Sequence, residues 1–443
     1  SKGLEVASDN SEFINIYVAD NPIGLSVAPN QELITIANSV FYDNHYRAID
    51  LNVVEEVAIY NSSFISTYDI AISFSNVDGA VIRNNTFDEN RYAVSLGGSS
   101  KNIVFQDNIL RNNSIGIEAS TGSFDNSFYN NTIEYSTSYG IYMDSSSSSI
   151  FSNNIIKMNS EAFEIRNSNS ITFISNTFVS NDDGYSLIYG YSGTNTLESN
   201  TFDDTGIAIE GAGQILENNT IINSPEYGVK IYRNSYDNKL FNNTISNSGE
   251  KDIFVGGLFN QTNNIGYNNT FSTIEVESNG EFIILDYVNV KTVNATGDKS
   301  GIDIRSYYKS SSYYSSAYFG GTDPLTSSDG TIPSFLAPSE HYDGSSTPDL
   351  VSLPVRARFV DWVETFYLDT SQSDSITIDI PDLRVKNMET DEMTYYIQTA
   401  VDNAGYEDRI YVMDGLYLEN VVINQKITLA TCEPESYSNC YTD

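Results

Sequence analysis

Histidine, tryptophan and cysteine are nearly absent from this 443-residue chain, which has two histidines, one tryptophan and two cysteines. Basic residues are also few: 22 lysines and arginines face 59 aspartates and glutamates, for a formal net charge of −37. A polyanion of this size repels nucleic acid and anionic lipid at long range, so we expect no nucleic-acid partner. The charge serves either to keep a large surface soluble or to bind calcium, the one cofactor left open.

Long apolar runs are missing as well. No stretch approaches the ~20 residues that a membrane-spanning helix needs, so we expect no membrane insertion. A secretory leader is not visible at Ser1, which predicts either a cytosolic protein or a processed start. Hydrophobic residues nevertheless make up 40 % of the chain, enough to bury the cores of two or three domains.

The two cysteines lie close together near the C-terminus. Cys432 and Cys440 can close a short loop, and a disulfide there would place the protein outside the cytosol; two free thiols are the alternative. Asn-x-Ser/Thr sequons point to the same extracellular or cell-surface location. These possible glycosylation sites are Asn61, Asn84, Asn112, Asn130, Asn218, Asn242, Asn260, Asn268 and Asn294.

An internal repeat dominates the first 271 residues. Large apolar residues recur with steps of 23 residues from Phe41 to Ile156 and steps of 19 to 26 thereafter. This first register comprises Phe41, Phe64, Phe87, Leu110, Ile133, Ile156, Phe178, Phe202, Ile221, Ile245 and Phe271. A second comprises Ile36, Ile59, Ile82, Phe105, Phe128, Phe151, Phe173, Leu197, Leu216 and Leu240. A third, usually preceded by a small residue, comprises Leu25, Ile49, Ile72, Val94, Ile117, Ile141, Phe163, Leu187, Ile207, Val229 and Phe254.

Asparagine recurs two residues before the first register in nine consecutive repeats. Asparagine tolerates left-handed turns, and stacked side-chain amides bond to one another along a column of strands. The sequence therefore predicts a structural asparagine ladder, with glycan attachment or ligand contact as the alternative. Its members are Asn85, Asn108, Asn131, Asn154, Asn176, Asn200, Asn219, Asn243 and Asn269.

Short alternating segments such as Gly228–Ile231 within each repeat indicate strands. A repeat of ~23 residues is too short for helical-repeat families and lacks the leucine-rich signature. The predicted fold is all-β: a right-handed parallel β-helix of about eleven coils over residues 1–271. Alternating strands in 272–381 predict a β-sandwich with Trp362 in its core. Residues 382–443 predict a short helix at Tyr396–Ala404 and strands at Arg409–Val412, Glu419–Ile423 and Lys426–Leu429.

That last segment carries a resemblance to a known family. The strings Ile397-Gln-Thr-Ala-Val, Asp408-Arg-Ile-Tyr-Val, Gly415-Leu-Tyr-Leu-Glu-Asn-Val-Val-Ile and Ile427-Thr-Leu resemble the N-terminal cap and first coil of pectin-lyase-like β-helix proteins. More narrowly, the chain resembles archaeal and bacterial cell-surface proteins of the S-layer, sheath or filament type, whose β-helices are separated by immunoglobulin-like spacers. The resemblance implies a fold and leaves activity open, because the superfamily contains enzymes and inert scaffolds.

Catalytic patterns are lacking. Enzymes of that superfamily cleave or epimerise acidic polysaccharides with clustered aspartates, arginines and histidines. The pair Asp182–Asp183 has neither His45 nor His341 within two coils of it and is interpreted as a solvated turn. Arg166 and the other coil arginines are too dispersed in sequence to assign. We expect no enzymatic activity and no catalytic residue.

The favoured function is a structural subunit of an extracellular surface assembly. A β-helix opening stands at the end of the chain, while its first coil has no cap before it, so copies are expected to stack head to tail. The predicted assembly contacts are Ile397, Val401, Ile410, Val412, Val422 and Ile427. The alternatives are a carbohydrate-binding or adhesive module that recognises surface glycans, and a polysaccharide lyase or hydrolase.

Overall fold

A computed structural model describes residues 2–181, 185–189, 193–309, 311–315, 323–370, 372–413 and 417–432. The chain divides into two compact units. The first comprises Ser1–Ile283 and Tyr342–Pro348, and the second comprises Ile284–His341 and Asp349–Asp443. This division does not test the three predicted domain ranges, which stay predictions.

Three parallel sheets run along the first unit, and each coil contributes one short strand to each of them. Sheet 1 contains Lys2–Val6, Ile23–Val27, Arg47–Asn52, Ile70–Ser75, Tyr92–Gly97, Ile115–Ser120, Tyr139–Asp144, Glu161–Arg166, Tyr185–Tyr189, Gly206–Glu210, Tyr227–Tyr232, Lys251–Gly256 and Ile274–Val276. Sheet 2 contains Glu12–Ile14, Gln31–Ala37, Val54–Tyr60, Asp78–Arg83, Lys101–Gln106, Ser127–Tyr129, Ile150–Ser152, Thr172–Ile174, Thr196–Glu198, Ile215–Glu217, Lys239–Phe241 and Gln261–Tyr267. Sheet 3 contains Tyr17–Ala19, Val40–Tyr42, Ser63–Ile65, Thr86–Asp88, Ile109–Arg111, Thr132–Glu134, Ile155–Lys157, Thr177–Val179, Thr201–Asp203, Thr220–Ile222 and Thr244–Ser246.

Neighbouring coils pair in parallel and in register, which confirms the predicted right-handed β-helix. Ile72, for example, lies opposite Ile49 of the preceding coil and Val94 of the next. Inward residues therefore stack on their equivalents, and in sheet 3 the rings of Phe41 and Phe64 lie 5.2 Å apart with planes 10° from parallel. Similar side chains stacked on one another pack the interior closely. Equivalent positions of successive coils therefore carry similar apolar residues, and the registers are visible in the sequence.

Three members of the predicted registers do not take the predicted place. Ser186, not Leu187, lies opposite Ile207 and faces the core, so Leu187 faces outward. Ile253 likewise takes the inward place opposite Val229, and Phe254 lies on the outer face. Phe271 follows the last strand of sheet 3 and is half-buried. A shift of one residue exchanges the two faces of a strand, and apolarity alone does not decide between adjacent positions.

The nine asparagines form one column at the turn between sheets 2 and 3, and all of them except the half-buried Asn269 are buried. The backbone N–H and side-chain amide of Asn131 both donate to the side-chain oxygen of Asn154, at 2.9 and 3.0 Å. The same amide also donates to the carbonyl of Phe105, at 2.8 Å. The pattern repeats from Asn85 to Asn269. Each amide therefore satisfies backbone groups that the turn would otherwise bury unpaired.

Two further columns, which the sequence patterns did not predict, occupy the other turns. At the turn after sheet 3, the N–H of Asn90 donates to Asn113 Oδ1 at 2.9 Å. At the turn after sheet 1, the N–H of Gln214 donates to Asn238 Oδ1 at 2.8 Å. Serine and threonine replace asparagine in several coils of these columns, so their periodicity is weaker in the sequence.

The second unit contains small antiparallel sheets, together with strands that pair in parallel. Its strands, two of which extend into the first unit, are Gly280–Asn294, Gly297–Asp298, Asp303–Tyr308, Ser311–Ser315, Phe335–Asp343, Asp349–Leu350, Ser352–Phe359, Trp362–Asp369, Ser375–Asp379, Val385–Asn387, Met393–Thr394, Arg409–Met413 and Thr428–Cys432. Trp362 is 4 % exposed and packs in a cluster with Ile304, Val355 and Leu368. The immunoglobulin-like assignment remains a prediction.

The C-terminal segment has the predicted helix, at Ile397–Asn403, and the predicted strand at Arg409–Met413. The strand predicted at Glu419–Ile423 is wrong: these residues form no strand, and the Glu419 carboxylate instead accepts the first N–H groups of the helix at 2.9 and 3.0 Å. The last strand starts at Thr428, two residues later than predicted.

Three of the six predicted assembly contacts are buried within this segment's own core. Val401, Ile410 and Val412 are 2 %, 0 % and 5 % exposed and pack together. They therefore stabilise the segment and do not offer a surface. Ile397 and Ile427 are partly buried against the same core, whereas Val422 is 57 % exposed. Cys440, and with it the predicted disulfide to Cys432, lies outside the described residues, as do Asp182 and Asp183.

The asparagine ladder predicts a measurable effect on stability. Replacing Asn131 with leucine removes the side-chain bond to Asn154 and the two bonds that Asn131 Oδ1 accepts from Asn108. It also leaves the Phe105 carbonyl without this donor, while the backbone N–H bond to Asn154 remains. We expect a loss of roughly 1–3 kcal/mol in the free energy of unfolding, measured in urea. Ser136→Asn should have the opposite effect and raise the free energy of unfolding. The Ser136 hydroxyl has no hydrogen-bond partner among the described residues, and an asparagine amide there would extend the column at the turn after sheet 3. An unchanged Asn131→Leu protein would contradict the role of the ladder.

A buried carboxylate in the second unit predicts a pH effect. Asp303 is 2 % exposed and neither carboxylate oxygen has a hydrogen-bond partner among the described residues. Burial raises the pKa of Asp303 to about 6, against the opposing charges of Arg305 and Arg358. Since the folded state holds this proton more tightly than the unfolded state, the contribution of Asp303 to stability falls as pH rises from about 4 to about 6.

Asp303→Asn should therefore raise the melting temperature at pH 7.5 and have a smaller effect at pH 4. Thermal unfolding at both values measures the difference. Asp379→Asn, at an exposed position, is the matched control and should show no such pH dependence. Equal effects of Asp303→Asn at the two pH values would contradict the assignment.

Candidate functional site

Tyrosines collect on the outer face of sheet 1, in the coils from Tyr139 to Tyr232. Alternate residues of each strand point outward, and parallel pairing brings the outward residues of neighbouring coils side by side. We call this surface the tyrosine face. Its members are Tyr139, Tyr142, Glu161, Glu164, Arg166, Tyr185, Leu187, Tyr189, Ala208, Glu210, Tyr227, Lys230 and Tyr232.

A small cavity of about 190 Å³ lies in the middle of the tyrosine face. Its lining residues are Glu161, Tyr185, Leu187, Ala208, Lys230 and Tyr232. The cavity exists because Ala208 carries only a methyl group where its neighbours carry larger side chains, and because Leu187 points outward to form part of the wall. The space suits one sugar-sized group and is smaller than the usual pocket of about 300–1,000 Å³ for small molecules.

Lys230 sits among three tyrosine rings at this cavity. Its ammonium nitrogen lies 5.1 Å from the ring centre of Tyr185, 5.0 Å from Tyr227 and 5.3 Å from Tyr232. Each distance is within the range of a cation–π contact. No carboxylate in the described part of the chain comes within ion-pair distance of it. The three N–H donors of the ammonium therefore remain available to a ligand.

The two arginines of this region, by contrast, are neutralised. Arg166 is paired with Glu164, and Arg233 lies 2.8 Å from Glu210. The carboxylates are buried, with side-chain exposures of 2 % and 4 %, while the arginines reach solvent. The hydrogen bond to Glu164 raises the pKa of Arg166, and the charge of Glu210 raises that of Arg233.

The tyrosine hydroxyls are held in place as hydrogen-bond donors. Burial, together with hydrogen bonds to Glu164 and Glu210 respectively, raises the pKa of Tyr139 and Tyr232. Burial also raises the pKa of Tyr185, whose hydroxyl donates to Glu226 at 2.9 Å and accepts the N–H of Tyr227 at 3.1 Å. These phenols stay protonated at neutral pH. The face thus offers fixed rings, and no tyrosinate base.

The predicted site residues lie elsewhere. The asparagine ladder is buried at a turn away from the tyrosine face, and its amides bond to the protein itself. Most sequon asparagines directly precede a ladder residue or its equivalent at another turn, and they adopt positive φ. Asn242 and Asn294 are half-buried and the other seven are exposed. Glycosylation remains a prediction.

The sequence patterns did not predict the tyrosine face, although Arg166, one of the coil arginines considered above, belongs to it. The available signal was the recurrence of tyrosine next to the small residues of the third register, as at Tyr92, Tyr139 and Tyr227. The remaining part of the tyrosine face was not predicted because Leu187 and Phe254 were assigned to the core. Both residues belong to the outer face.

Comparison with known proteins supplies the family. The NosD family, described as periplasmic copper-binding protein, matches residues 2–137, 34–204 and 134–292, which together exceed half of the chain. The chain belongs to the NosD family. No curated protein matches it. No helix in the described residues is long and apolar enough to span a membrane.

Solved structures share the β-helix fold at low identity. The mannuronan C-5 epimerase AlgE6 A-module of Azotobacter vinelandii is 13 % identical, with 59 % of this chain and 74 % of that one covered and a TM-score of 0.45. The GH87 α-1,3-glucanase catalytic unit of Streptomyces thermodiastaticus is 14 % identical, with 60 % and 62 % covered and a TM-score of 0.44. PfbA, a surface adhesin of Streptococcus pneumoniae, is 10 % identical, with 74 % and 90 % covered and a TM-score of 0.39.

Within the part of the chain that the structure describes, the residues do not fit the copper that the family description implies. Protein copper sites use histidine, cysteine and methionine ligands. The tyrosine face has phenols, carboxylates and an ammonium, and Met143 beneath it is fully buried in the core. His45 and His341 belong to different units. The described residues contain no group of three or more histidine, cysteine, aspartate or glutamate side chains that could hold a metal ion.

Proposed function

We propose that this NosD-family protein binds a neutral polysaccharide along its tyrosine face. The observation that carries the proposal is the cavity at Lys230, where three fixed tyrosine rings surround an ammonium without a carboxylate partner. Sugars present apolar ring faces edged by hydroxyl groups. Tyrosine offers the matching combination of a flat apolar ring and a polar tip.

The parallel β-helix extends this match along a chain of sugars. Successive coils repeat at ~4.8 Å. Tyr142, Tyr185 and Tyr232 come from alternate coils and from different columns of the same face, so an extended ligand can lie across them. The Lys230 ammonium donates hydrogen bonds, and the phenol oxygens and the Glu161 carboxylate accept them. Because the rings are already held by neighbouring side chains, little conformational freedom is lost on binding.

Charge favours a neutral ligand. The net charge is −37, and both arginines of the face are neutralised by Glu164 and Glu210. A polyuronate would approach against this field, and its repulsion would weaken as salt is added. Polysaccharides of this kind lie outside the cytosol, so the proposal includes an extracellular or cell-surface location.

Binding is favoured over catalysis by the state of the acidic side chains. A glycosidase needs two carboxylic groups that reach the scissile bond from opposite sides. Here Glu164 and Glu210 are buried against arginines, and the phenols have raised pKa values. The absence of turnover is part of the proposal.

The test is electrophoresis in native gels that contain one soluble polysaccharide each: β-glucan, xylan, laminarin, dextran or alginate. We expect at least one neutral polymer to retard the protein and alginate to retard it less. Tyr232→Ala should weaken retardation about tenfold, because an aromatic contact contributes roughly 0.5–1.5 kcal/mol beyond the apolar area it buries.

The matched control is Tyr42→Ala, which removes a 42 %-exposed tyrosine from sheet 3. Its affinity should equal that of the original protein. Equal losses in both variants, or no retardation by any polymer, would refute the proposal. Release of reducing or unsaturated ends from any polymer would show an enzyme instead.

A second proposal retains the structural assembly of copies joined end to end. In the described residues, the strands Lys2–Val6, Glu12–Ile14 and Tyr17–Ala19 each pair with a strand on one side. The C-terminal segment supplies a parallel pair, Arg409–Met413 with Thr428–Cys432, of the kind that continues a β-helix. The junction would form between copies or along one longer polypeptide.

Deleting residues 395–443 should leave a β-helix that no longer associates, as measured by sedimentation. Because the deletion also removes part of the second unit, Val422→Lys provides a milder variant at a 57 %-exposed position. We expect it to weaken association without changing the melting temperature. Normal association of both variants would contradict this proposal.

A further inference from the structure

An apolar loop follows the strand Lys251–Gly256. Its residues Leu258 and Phe259 are 69 % and 68 % exposed, which is unusual for two adjacent large side chains. Phe259 also has a φ of +72°, a left-handed conformation that bulky residues rarely adopt. The exposure of two adjacent apolar side chains is unfavourable in water and points to a contact with a ligand or partner.

The loop is held firmly in this conformation. The side-chain amide of Asn279 donates to the carbonyls of Gly257 and Phe259. The amide of Gln261 donates to the carbonyls of Leu258 and Phe259, at 3.2 and 2.7 Å. Three of the loop carbonyls are thus fixed by side chains, and the two apolar side chains project from a rigid base.

The loop adjoins the tyrosine face. Tyr232 lies opposite Gly256 in sheet 1, and the next residue, Gly257, approaches Tyr232 so closely that a Cβ there would be 3.6 Å from the tyrosine Cβ. The N–H of Gly257 donates to the Glu277 carboxylate at 2.6 Å, which fixes the start of the loop against the next coil. Tyr232 therefore connects the Lys230 cavity to Leu258 and Phe259.

We infer that Leu258 and Phe259 form an apolar rim that contacts the bound polysaccharide at the end of the tyrosine face. The inference rests on the proposed function. A chain of sugars that lies over the Lys230 cavity and continues past Tyr232 meets this rim with the apolar face of a further sugar ring. Phe259 is then a specificity residue: it favours ligands that extend at least one sugar beyond the cavity.

Phe259→Gly provides the test, because glycine adopts positive φ without strain. The melting temperature should stay the same or rise, while affinity for the neutral polysaccharides of the gel panel falls about five- to tenfold. Longer oligosaccharides of the retarding polymer should lose more affinity than short ones. A residue with a merely structural role would change stability and leave this length dependence intact.

Leu33→Gly is the matched control. Leu33 is 43 % exposed, has a φ of +59° and lies in sheet 2, away from the tyrosine face. Its replacement should have the same small effect on melting and none on binding. If Phe259→Gly binds with unchanged affinity while Tyr232→Ala still binds more weakly, the inference about the rim is wrong and the proposed function stands. If sedimentation of Phe259→Gly instead showed reduced self-association, the loop would be a contact between copies.

Discussion

Stacking of each coil on the next is the constraint on which the rest of the structure depends. A single coil buries little by itself: its strands are three to seven residues long in sheets 2 and 3, and each needs a neighbour to pair with. In-register parallel pairing places identical positions one above another. Phenylalanine then stacks on phenylalanine in the core, and asparagine bonds to asparagine at the turns.

This constraint explains how much of the fold the sequence predicts. Positions that face inward require a large apolar residue, and this requirement recurs about every 23 residues. Phe64, Phe87 and Leu110 therefore identify the β-helix from the sequence alone. The asparagine ladder is visible for the same reason. The other two turn columns are harder to detect, because serine or threonine can stand in for asparagine at the cost of a buried hydroxyl without a partner, as at Thr67 and Ser136.

Outward positions carry no such periodicity, and there the prediction fails. The tyrosine face depends on which of two adjacent residues points out, and Ser186 with Leu187 shows that apolarity gives the wrong answer. A small hydroxyl in the core and a leucine at the surface become understandable only once the cavity beside Lys230 is seen. The strand prediction in the C-terminal segment is wrong for another reason. Glu419 accepts the first N–H groups of the helix, and a contact between residues so far apart in the sequence has no local pattern.

The separation of inward and outward positions also limits what family membership can say about ligands. The three matches to the NosD family overlap along the chain, at residues 34–137 and 134–204, as expected when a repeating pattern can be aligned in several registers. The outer face is free to differ, and in this chain it displays tyrosines and a lysine where copper would need soft or imidazole ligands. The proposed binding function therefore depends on the outward columns of sheet 1, coil by coil, and the scaffold beneath them is compatible with many ligands.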